Sequence, residues 1–332
     1  MENTCNNLPE RFLERLKRLY FDEDYNQVLK AFSNKPLPTF RANTLKTTSD
    51  DLAYTLKKSG FELEQVSWYK DAFILKNKSV RELTGTDEYK NGLLYIQNLS
   101  SMLPALVLSP EPEELVLDLT AAPGSKTTQL AALMQNKGLL VANDVSRGRM
   151  YKMEMLLKQY GIPFQWSIHT QGTYLISSRG ETLWKKFPEY FDRTLVDVPC
   201  TMEGRIQCDD PKTYEDWSTK KIKQLSMLQK YLLRSAISAT KPGGVIVYST
   251  CTLEPEENEE VIDWVLKREK GAIEIEEINI PGLRLKSGIS AWNKPFDPQI
   301  TNTARVIPSE HMVGFFIAKI RKLTSTLPTE SF

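Results

Sequence analysis

The chain has few of the residues from which metal sites and disulfide frameworks are built. It contains four cysteines and two histidines among 332 residues, and it has no Cys-x-x-Cys pair. A zinc site is therefore not expected, nor any other metal. With so few cysteines in so long a chain, we expect reduced thiols in a cytoplasmic protein. Cys5 and Cys208 have no informative context and are predicted to be structural or surface thiols.

Long apolar runs and an excess of one charge are also lacking. No hydrophobic stretch approaches the roughly 20 residues that a membrane-spanning helix needs, and the first residues lack the basic-then-apolar order of a secretory signal. The 43 basic and 42 acidic residues give a net charge of +1. This balance does not by itself indicate nucleic-acid binding, although it leaves room for local basic patches. We expect a monomer with no membrane partner.

Helix and strand patterns divide the chain into an N-terminal region at 1–110, an α/β domain at 111–325 and a tail at 326–332. The first region reads as a helical segment followed by a small α+β, RRM-like module. In the second, strands are predicted at 115–119, 139–143, 164–169, 191–196, 245–249 and 314–320, with helices at 126–134, 147–160, 219–240 and 256–267. Such alternation predicts a largely parallel, doubly wound sheet with helices on both faces.

Two cysteines follow predicted strands of this sheet. Cys200 ends the run Asp197-Val-Pro-Cys, and Cys251 ends Ser249-Thr-Cys. Because chemistry gathers at the carboxyl ends of strands in an open α/β sheet, both sulfurs can reach one crevice. Two thiols there, with a carboxylate three residues before the first, indicate covalent chemistry. From these residues alone, either sulfur could be the attacking one.

A loop of small residues follows the strand at 115–119. Its residues are Thr120, Ala121, Ala122, Pro123, Gly124, Ser125 and Lys126. It matches neither the dinucleotide fingerprint nor a phosphate-cradling loop, but it lets backbone N–H groups approach a ligand closely. Asp144 follows the next strand, where an acidic residue commonly accepts hydrogen bonds from ribose hydroxyls. The combination favours a nucleoside cofactor, against an ordinary turn followed by a plain helix cap at Asp144.

Taken together, three motifs resemble the Nol/Nop/Sun (RsmB/RsmF-type) family of RNA cytosine-5 methyltransferases. They are Asp-Leu-Thr-Ala-Ala-Pro-Gly-Ser-Lys at 118–126, Asp-Val-Pro-Cys at 197–200, and Ser-Thr-Cys-Thr-Leu-Glu-Pro-Glu-Glu-Asn-Glu at 249–259. Flanking segments agree from about residue 36 to residue 321. The resemblance implies a Rossmann-like class I methyltransferase fold, S-adenosylmethionine as cofactor and RNA as substrate.

The resemblance also implies roles for individual residues. It places the 120–126 loop, Asp144 and Arg149 on the cofactor, and Asp197 near both the methionine part and the target base. It makes Cys251 the nucleophile and Cys200 the thiol that assists release, with Lys126 near the base. Two departures are Ser125, where the family usually has glycine, and Gln171, where it usually has an aspartate near the adenine. We expect Gln171 to weaken or alter cofactor binding.

The chemistry explains why two thiols are needed. Cytosine C5 is a weak nucleophile, and addition of a thiolate at C6 turns the ring into an enamine that can accept a methyl group. Amino-group methylation leaves Cys251 without a task, and a DNA cytosine methyltransferase would attack with Cys200 instead. A non-catalytic ribosome-assembly factor is a further alternative, against which the intact Cys200, Cys251, Lys126 and Asp197 argue.

The RNA target is less well defined by the sequence. Small-subunit ribosomal RNA is favoured mildly over transfer RNA. The target cytosine must be unpaired or flipped out of its stack. The N-terminal module could supply an RNA platform, although a purely structural role is the alternative. The candidate platform residues are Arg41, Lys46, Tyr54, Lys57, Lys58 and Trp68.

Overall fold

Two amphipathic helices come first in the computed structural model, which describes residue 5, residues 7–167 and residues 171–327. They are α1 (Glu10–Leu19) and α2 (Asp22–Ser33). Phe12 and Phe32 pack together between them, with ring centroids 6.3 Å apart. A disulfide joins Cys5 to Cys208, which are separated by 203 residues. The expectation that these two thiols are reduced is therefore wrong, and a pairing over this distance has no signature in residue spacing.

A small antiparallel sheet follows these helices. Its strands are β1 (Thr39–Ala42), β2 (Leu63–Gln65), β3 (Ala72–Leu75) and β4 (Leu94–Ile96), in the order β2-β3-β1-β4. Three helices connect them: α3 (Ser49–Lys58), α4 (Val80–Thr84) and α5 (Asp87–Lys90). The hydroxyl of Thr48 accepts a hydrogen bond from the backbone N–H of Asp51 and so caps α3. Phe40 and Phe73 stack within the core of this sheet.

The larger sheet is parallel at its centre and antiparallel at one side. Its strands are β5 (Leu115–Asp118), β6 (Leu139–Asn143), β7 (Phe164–Gln165), β8 (Gly172–Ile176), β9 (Phe191–Asp197), β10 (Thr240–Thr250), β11 (Ile273–Glu276), β12 (Lys286–Ser287), β13 (Ala304–Val306) and β14 (Phe315–Lys322). Their order is β12-β13-β14-β10-β9-β5-β6-β8-β7, and β11 also pairs with β14. The six neighbouring strands β10, β9, β5, β6, β8 and β7 are mutually parallel, whereas β14 runs antiparallel to β10.

Helices cover both faces of this sheet. They are α6 (Leu99–Leu108), α7 (Ser125–Leu133), α8 (Arg147–Tyr160), α9 (Thr219–Ala239) and α10 (Glu259–Arg268). Side chains of each strand alternate between two cores: Val116 packs with α6, α7 and α8, whereas Leu117 packs with α9 and α10. This arrangement confirms the predicted doubly wound α/β class.

One strand of the sheet differs from the prediction, and the difference moves a candidate residue. Only 164–165 of the predicted strand 164–169 are strand, and 168–170, including His169, lie outside the described residues. The strand beside β6 is β8, whose first residue, Gly172, pairs with Leu139 at the start of β6. Gln171 therefore lies at the opposite edge of the sheet from Asp144, and its predicted contact with the cofactor is wrong.

Candidate active site

A cavity of about 400 Å³ opens at the carboxyl ends of the parallel strands. Strands β5, β6, β9 and β10 deliver their following loops to it, as expected for an α/β sheet. Of the residues predicted from the sequence, those that line the cavity are Thr120, Ala122, Pro123, Asp144, Arg149, Asp197, Cys200 and Cys251. The cavity thus brings the proposed cofactor loop and both cysteines into one space.

The loop after β5 is held by residues at the end of β6. The backbone N–H of Ala121 donates to the carbonyl of Asn143 (2.7 Å), and the side-chain amide of Asn143 donates to the carbonyl of Leu119 (2.9 Å). The buried carboxylate of Asp144 accepts from the backbone N–H of Ala122 at 3.2 Å. Arg149 donates to the carbonyl of Ala122 and lies 3.3 Å from Asp144. Asp144 therefore fixes the loop in addition to facing the cavity.

The end of the loop turns away from the cavity and begins α7. Gly124 has a φ of +106°, and a Cβ there would come within 2.7 Å of Met153 Cγ, so only glycine fits. Ala121, Gly124 and Ser125 lie behind the cavity wall and do not line it, nor does Lys126. Contact of these four residues with the cofactor stays a prediction, and the side chain of Lys126 reaches Asp197, which does line the cavity.

Lys126 and Asp197 form an ion pair beside the cavity. Lys126 Nζ lies 2.5 Å from Asp197 Oδ2 and donates to Ser101 Oγ at 2.9 Å. Ser249 Oγ donates to the other carboxylate oxygen of Asp197 at 2.8 Å. Lys126 is buried, whereas Asp197 is partly exposed. Asp197 is thus oriented from two sides with an edge toward the cavity.

The two cysteines are adjacent but electrostatically different. Cys200 Sγ and Cys251 Sγ are 3.3 Å apart. The hydrogen bond between them lowers the pKa of Cys251 and raises that of Cys200. Burial and the charge of Asp197 oppose the first shift, whereas the charges of Arg205 and Lys126 add to it; burial adds to the second shift. Cys251 is therefore the thiol that ionises first.

A buried hydrogen-bond network, which we call the carboxyl bracket, lies directly behind the cysteines. It consists of Thr201, Thr252, Glu203 and Glu257. Thr201 Oγ1 contacts Thr252 Oγ1 (3.0 Å), Glu203 Oε1 (2.8 Å) and Glu257 Oε1, and Thr252 Oγ1 contacts Glu203 Oε2. Each of these four hydrogen bonds needs one proton, and the two threonine hydroxyls have only two. The carboxyl groups must therefore supply the other two protons. Burial correspondingly raises the pKa of Glu203 and raises that of Glu257 to about 7.

Several cavity residues have no counterpart in the sequence prediction. Arg179, Gly180 and Glu181 follow β8, and Met202 and Arg205 follow Cys200. The first group is missed because β8 itself is missed, since residues that follow an unrecognised strand are not expected at the sheet edge. Proximity to the Asp-Val-Pro-Cys motif could have pointed to the second group.

The candidate RNA platform in the N-terminal module is only partly available. Arg41 is buried and donates to Gln97 Oε1, Thr128 Oγ1 and the carbonyl of Ser125. It therefore joins the module to α7, and its proposed contact with RNA is wrong. Tyr54 has 70% of its surface exposed and keeps its place as a candidate. Lys57 and Lys58 are also exposed.

The cavity fits S-adenosylmethionine in size and in chemistry. About 400 Å³ lies within the range of small-molecule sites, about 300–1,000 Å³. Val145, Leu228 and Leu232 give it apolar walls, and Oδ1 of Asp144, which accepts from the backbone N–H of Ser146, has a second lone pair for a ribose hydroxyl. Among the described residues, no group of histidines, cysteines and carboxylates is arranged to hold a metal ion. Nor does any helix within them have the length and apolar character to cross a membrane.

Comparison with known proteins identifies the family to which this chain belongs. The chain matches the model of the 16S rRNA methyltransferases RsmB/F at residues 105–321 and that of the RsmF N-terminal domain at residues 8–99. It is 36% identical to the tRNA (cytosine(49)-C(5))-methyltransferase of Pyrococcus abyssi, covering 94% of this chain and 96% of that protein. It is also 36% identical to the ribosomal RNA small subunit methyltransferase F of Vibrio atlanticus, covering 97% of this chain and 66% of that protein.

A solved structure agrees with these sequence matches. The methyltransferase homolog protein from Pyrococcus horikoshii has a TM-score of 0.78 and 34% identity, and the match covers 95% of this chain and 100% of that one. The chain therefore belongs to the RsmB/F family and is an S-adenosylmethionine-dependent RNA cytosine-5 methyltransferase.

Proposed function

We propose that this protein methylates C5 of a cytosine in small-subunit ribosomal RNA, with Cys251 as nucleophile and Cys200 as the thiol that permits release. The observation that carries the assignment is the sulfur pair, 3.3 Å apart with the lower pKa on Cys251. Attack requires a thiolate, and Cys251 is the thiol whose pKa is lowered by its surroundings. The family models, both described by 16S rRNA methylation, support this RNA as the substrate.

Cys251 begins the reaction by adding its sulfur to C6 of the cytosine. The electron pair moves toward N3 of the ring, and C5 becomes nucleophilic. Asp197 lies at the cavity wall with Lys126 against one oxygen and Ser249 against the other. Asp197 can accept a hydrogen bond from the N4 amino group, and a proton passed from Lys126 through Asp197 to N3 neutralises the negative charge that develops there; the proton returns when C5 attacks the methyl group.

The cofactor would be held at the β5 and β6 ends of the cavity. Asp144 would accept from ribose hydroxyls, and Thr120, Ala122, Pro123 and Arg149 would form the surrounding wall. When bound, S-adenosylmethionine supplies the electrophilic methyl group. The loop contacts described above keep this wall in place without reorganisation.

Release requires that the methylated base lose its C5 proton. Cys200 first loses its own proton to water through the open cavity; because its pKa is raised, the resulting thiolate is a strong base and accepts the C5 proton, directly or through one water molecule. The C5–H electron pair then re-forms the C5–C6 double bond, and the C6–sulfur bond breaks. Cys251 leaves as a thiolate and the ring returns to its aromatic state.

Transfer assays on two RNAs test the proposal. Purified protein with radiolabelled S-adenosylmethionine should label small-subunit ribosomal RNA transcripts, and bisulfite sequencing should locate one modified cytosine. Cys251→Ala should give no label. Absence of label on any RNA with the wild-type protein would contradict the proposal and favour the assembly-factor alternative.

Transfer RNA is the second candidate, and one observation favours it. The chain spans 96% of the archaeal relative named for methylation of tRNA cytosine 49, but only 58–66% of the bacterial relatives named for ribosomal RNA. Parallel assays on tRNA transcripts would make it the substrate if they label and ribosomal RNA does not. In either case we propose a cytoplasmic monomer.

A further inference from the structure

Arg205 lies beside the nucleophile, yet neither the mechanism above nor the sequence pattern uses it. It ends the 3-10 helix Glu203–Arg205 and lines the same cavity as both cysteines. Its side chain is exposed. The backbone N–H of Gly204 donates to the carbonyl of Cys251 at 3.0 Å. Arg205 is therefore the next residue after a direct contact with the Cys251 backbone.

The backbone that carries Arg205 is held on both sides. Glu203 is part of the buried carboxyl bracket and also accepts from Trp217 Nε1 at 2.8 Å. The backbone N–H of Gly314 donates to the carbonyl of Gly204 at 2.9 Å, and a Cβ on Gly204 would come within 2.1 Å of Gly314 O. Only glycine fits at 204. The segment therefore presents a side chain from a fixed backbone, close to the reacting sulfur.

Arg205 differs from the other two arginines that line the cavity. Arg149 contacts the carboxylate of Asp144, and Arg179 lies 3.1 Å from Glu181. In the described part of the chain, Arg205 makes no side-chain hydrogen bond or ion pair. A guanidinium presented in this way has five free donors for an anion.

We propose that Arg205 is a phosphate-binding subsite that holds an RNA backbone phosphate next to the target cytidine. The target base must enter the cavity unstacked, so the phosphates on either side of it pass the rim where Arg205 stands. A guanidinium matches a phosphate by two parallel hydrogen bonds, which gives orientation in addition to attraction. The inference rests on the proposed methyl transfer to RNA.

The same chemistry would also fit the carboxylate of the cofactor's methionine part. Two features favour the RNA phosphate. Arg205 is anchored to the Cys251 end of the cavity, where the base must lie for sulfur to reach its C6. It is also exposed, as a contact to a long polymer requires. The experiment measures both ligands separately, so that either source gives a distinct result.

Three variants of the full-length protein test the subsite: Arg205→Ala, Arg205→Lys and the control Lys137→Ala. Lys137 is exposed and precedes β6 at the opposite edge of the sheet, so its substitution removes one positive charge far from the cavity. Binding of nine-nucleotide oligocytidylate is measured by fluorescence anisotropy at several salt concentrations, without cofactor. KM values for RNA and for S-adenosylmethionine are measured on the transcript that the wild-type protein labels.

The expected loss for Arg205→Ala is roughly tenfold to hundredfold in oligocytidylate affinity and in KM for RNA, as for a charged hydrogen bond. The slope of log affinity against log salt should fall by about 0.7, the value for one phosphate contact on a single strand. Arg205→Lys should restore the slope and part of the affinity, and Lys137→Ala should match wild type. KM for S-adenosylmethionine should not change.

Two outcomes would overturn the subsite. If Arg205→Ala binds oligocytidylate with wild-type affinity and salt slope, Arg205 does not hold an RNA phosphate. If only KM for S-adenosylmethionine rises, the anion is the cofactor's carboxylate. Failure of the proposed function gives a different result from both. In that case the wild-type protein labels no RNA, but its affinity for oligocytidylate can still be compared with that of the variants.

Discussion

The two cysteine-bearing loops lie side by side, but they hold their thiols in different ways. Cys251 directly follows β10, and its carbonyl accepts from Gly204. Cys200 lies three residues beyond β9, after an exposed proline, and its pKa is raised where that of Cys251 is lowered. The hydrogen bond between the sulfurs is the largest cause of both shifts. Two chemically identical side chains thus acquire different pKa values from their surroundings.

This difference explains how one site can both attack and release. A nucleophile must be ionised before the substrate arrives, whereas the group that removes the C5 proton is useful only after methyl transfer. The carboxyl bracket behind the loops joins Thr201, next to Cys200, to Thr252, next to Cys251. The separation of the sulfurs therefore depends on buried groups that never meet the substrate.

Cys251→Ala should have the largest effect, because it removes the thiol that attacks. Without the C6 adduct, C5 remains too weak a nucleophile, and we expect methyl transfer to fall by more than about 10⁴-fold. The measurement is incorporation of labelled methyl groups into RNA, with cofactor binding by calorimetry as a check on folding. Substantial transfer by a folded Cys251→Ala protein, or loss of transfer only in Cys200→Ala, would reverse the assigned roles.

Cys200→Ala should leave attack intact and block release. The loss of a general base costs about 10²–10⁴-fold in turnover, and the RNA should remain attached to Cys251. Denaturing gels should show a slowly migrating protein–RNA band that disappears after ribonuclease treatment. The double variant Cys200→Ala/Cys251→Ala is the matched control and should show none. A slow variant without any adduct would mean that Cys200 does not act in release.

Gly204→Ala is expected to disturb the packing between the two cysteine-bearing loops while leaving both thiols in place. The added Cβ would overlap Gly314 O, so the backbone at 204 must shift, which disturbs the hydrogen bond from the Gly204 N–H to the carbonyl of Cys251. Overpacking of this kind costs about 1–3 kcal/mol in the free energy of unfolding, and we expect the alkylation rate of Cys251 at pH 7 to fall as well. Gly148→Ala is the control, because a Cβ there meets nothing within 4 Å. Equal stability and alkylation rates in the two variants would contradict this coupling.

The contrast between the loops also shows what sequence patterns can and cannot supply. Cys200, Cys251, Asp197 and the loop after β5 are found because each follows a recognisable apolar strand, and strand ends converge in this fold. Gln171 is misplaced because the strand is predicted at 164–169, so that Gln171 is expected to follow it, whereas the strand beside β6 is Gly172–Ile176 and Gln171 precedes it. The carboxyl bracket and the Cys5–Cys208 disulfide join residues far apart in sequence, and a single sequence has no signal for such contacts.

Of these variants, Glu257→Gln should change methyl transfer least, and it tests the protonation of the carboxyl bracket. Glutamine keeps an oxygen that can accept from Thr201 and Gln229, and its amide can replace the carboxyl proton as donor to Thr201 Oγ1. We therefore expect nearly unchanged methyl transfer at pH 7. A Glu257→Ala variant should instead lose activity, because it leaves the partners of the carboxyl group unsatisfied.

The effect of Glu257→Gln lies in the pH dependence of stability. The pKa of Glu257 is about 7 in the folded chain against 4.5 for the ordinary side chain, so between these values the folded state holds a proton that the unfolded state has lost. The free energy of unfolding of the wild type therefore falls as pH rises through this window, by at most about 1.4 kcal/mol per pH unit from this group. Denaturant unfolding at pH 5, 6 and 7 should show the glutamine variant gaining stability relative to wild type at each step. Glu277→Gln, at an exposed position, should track the wild type. If the two glutamine variants show the same pH slope, Glu257 is not protonated, and the bracket holds the cysteine loops by some other distribution of protons.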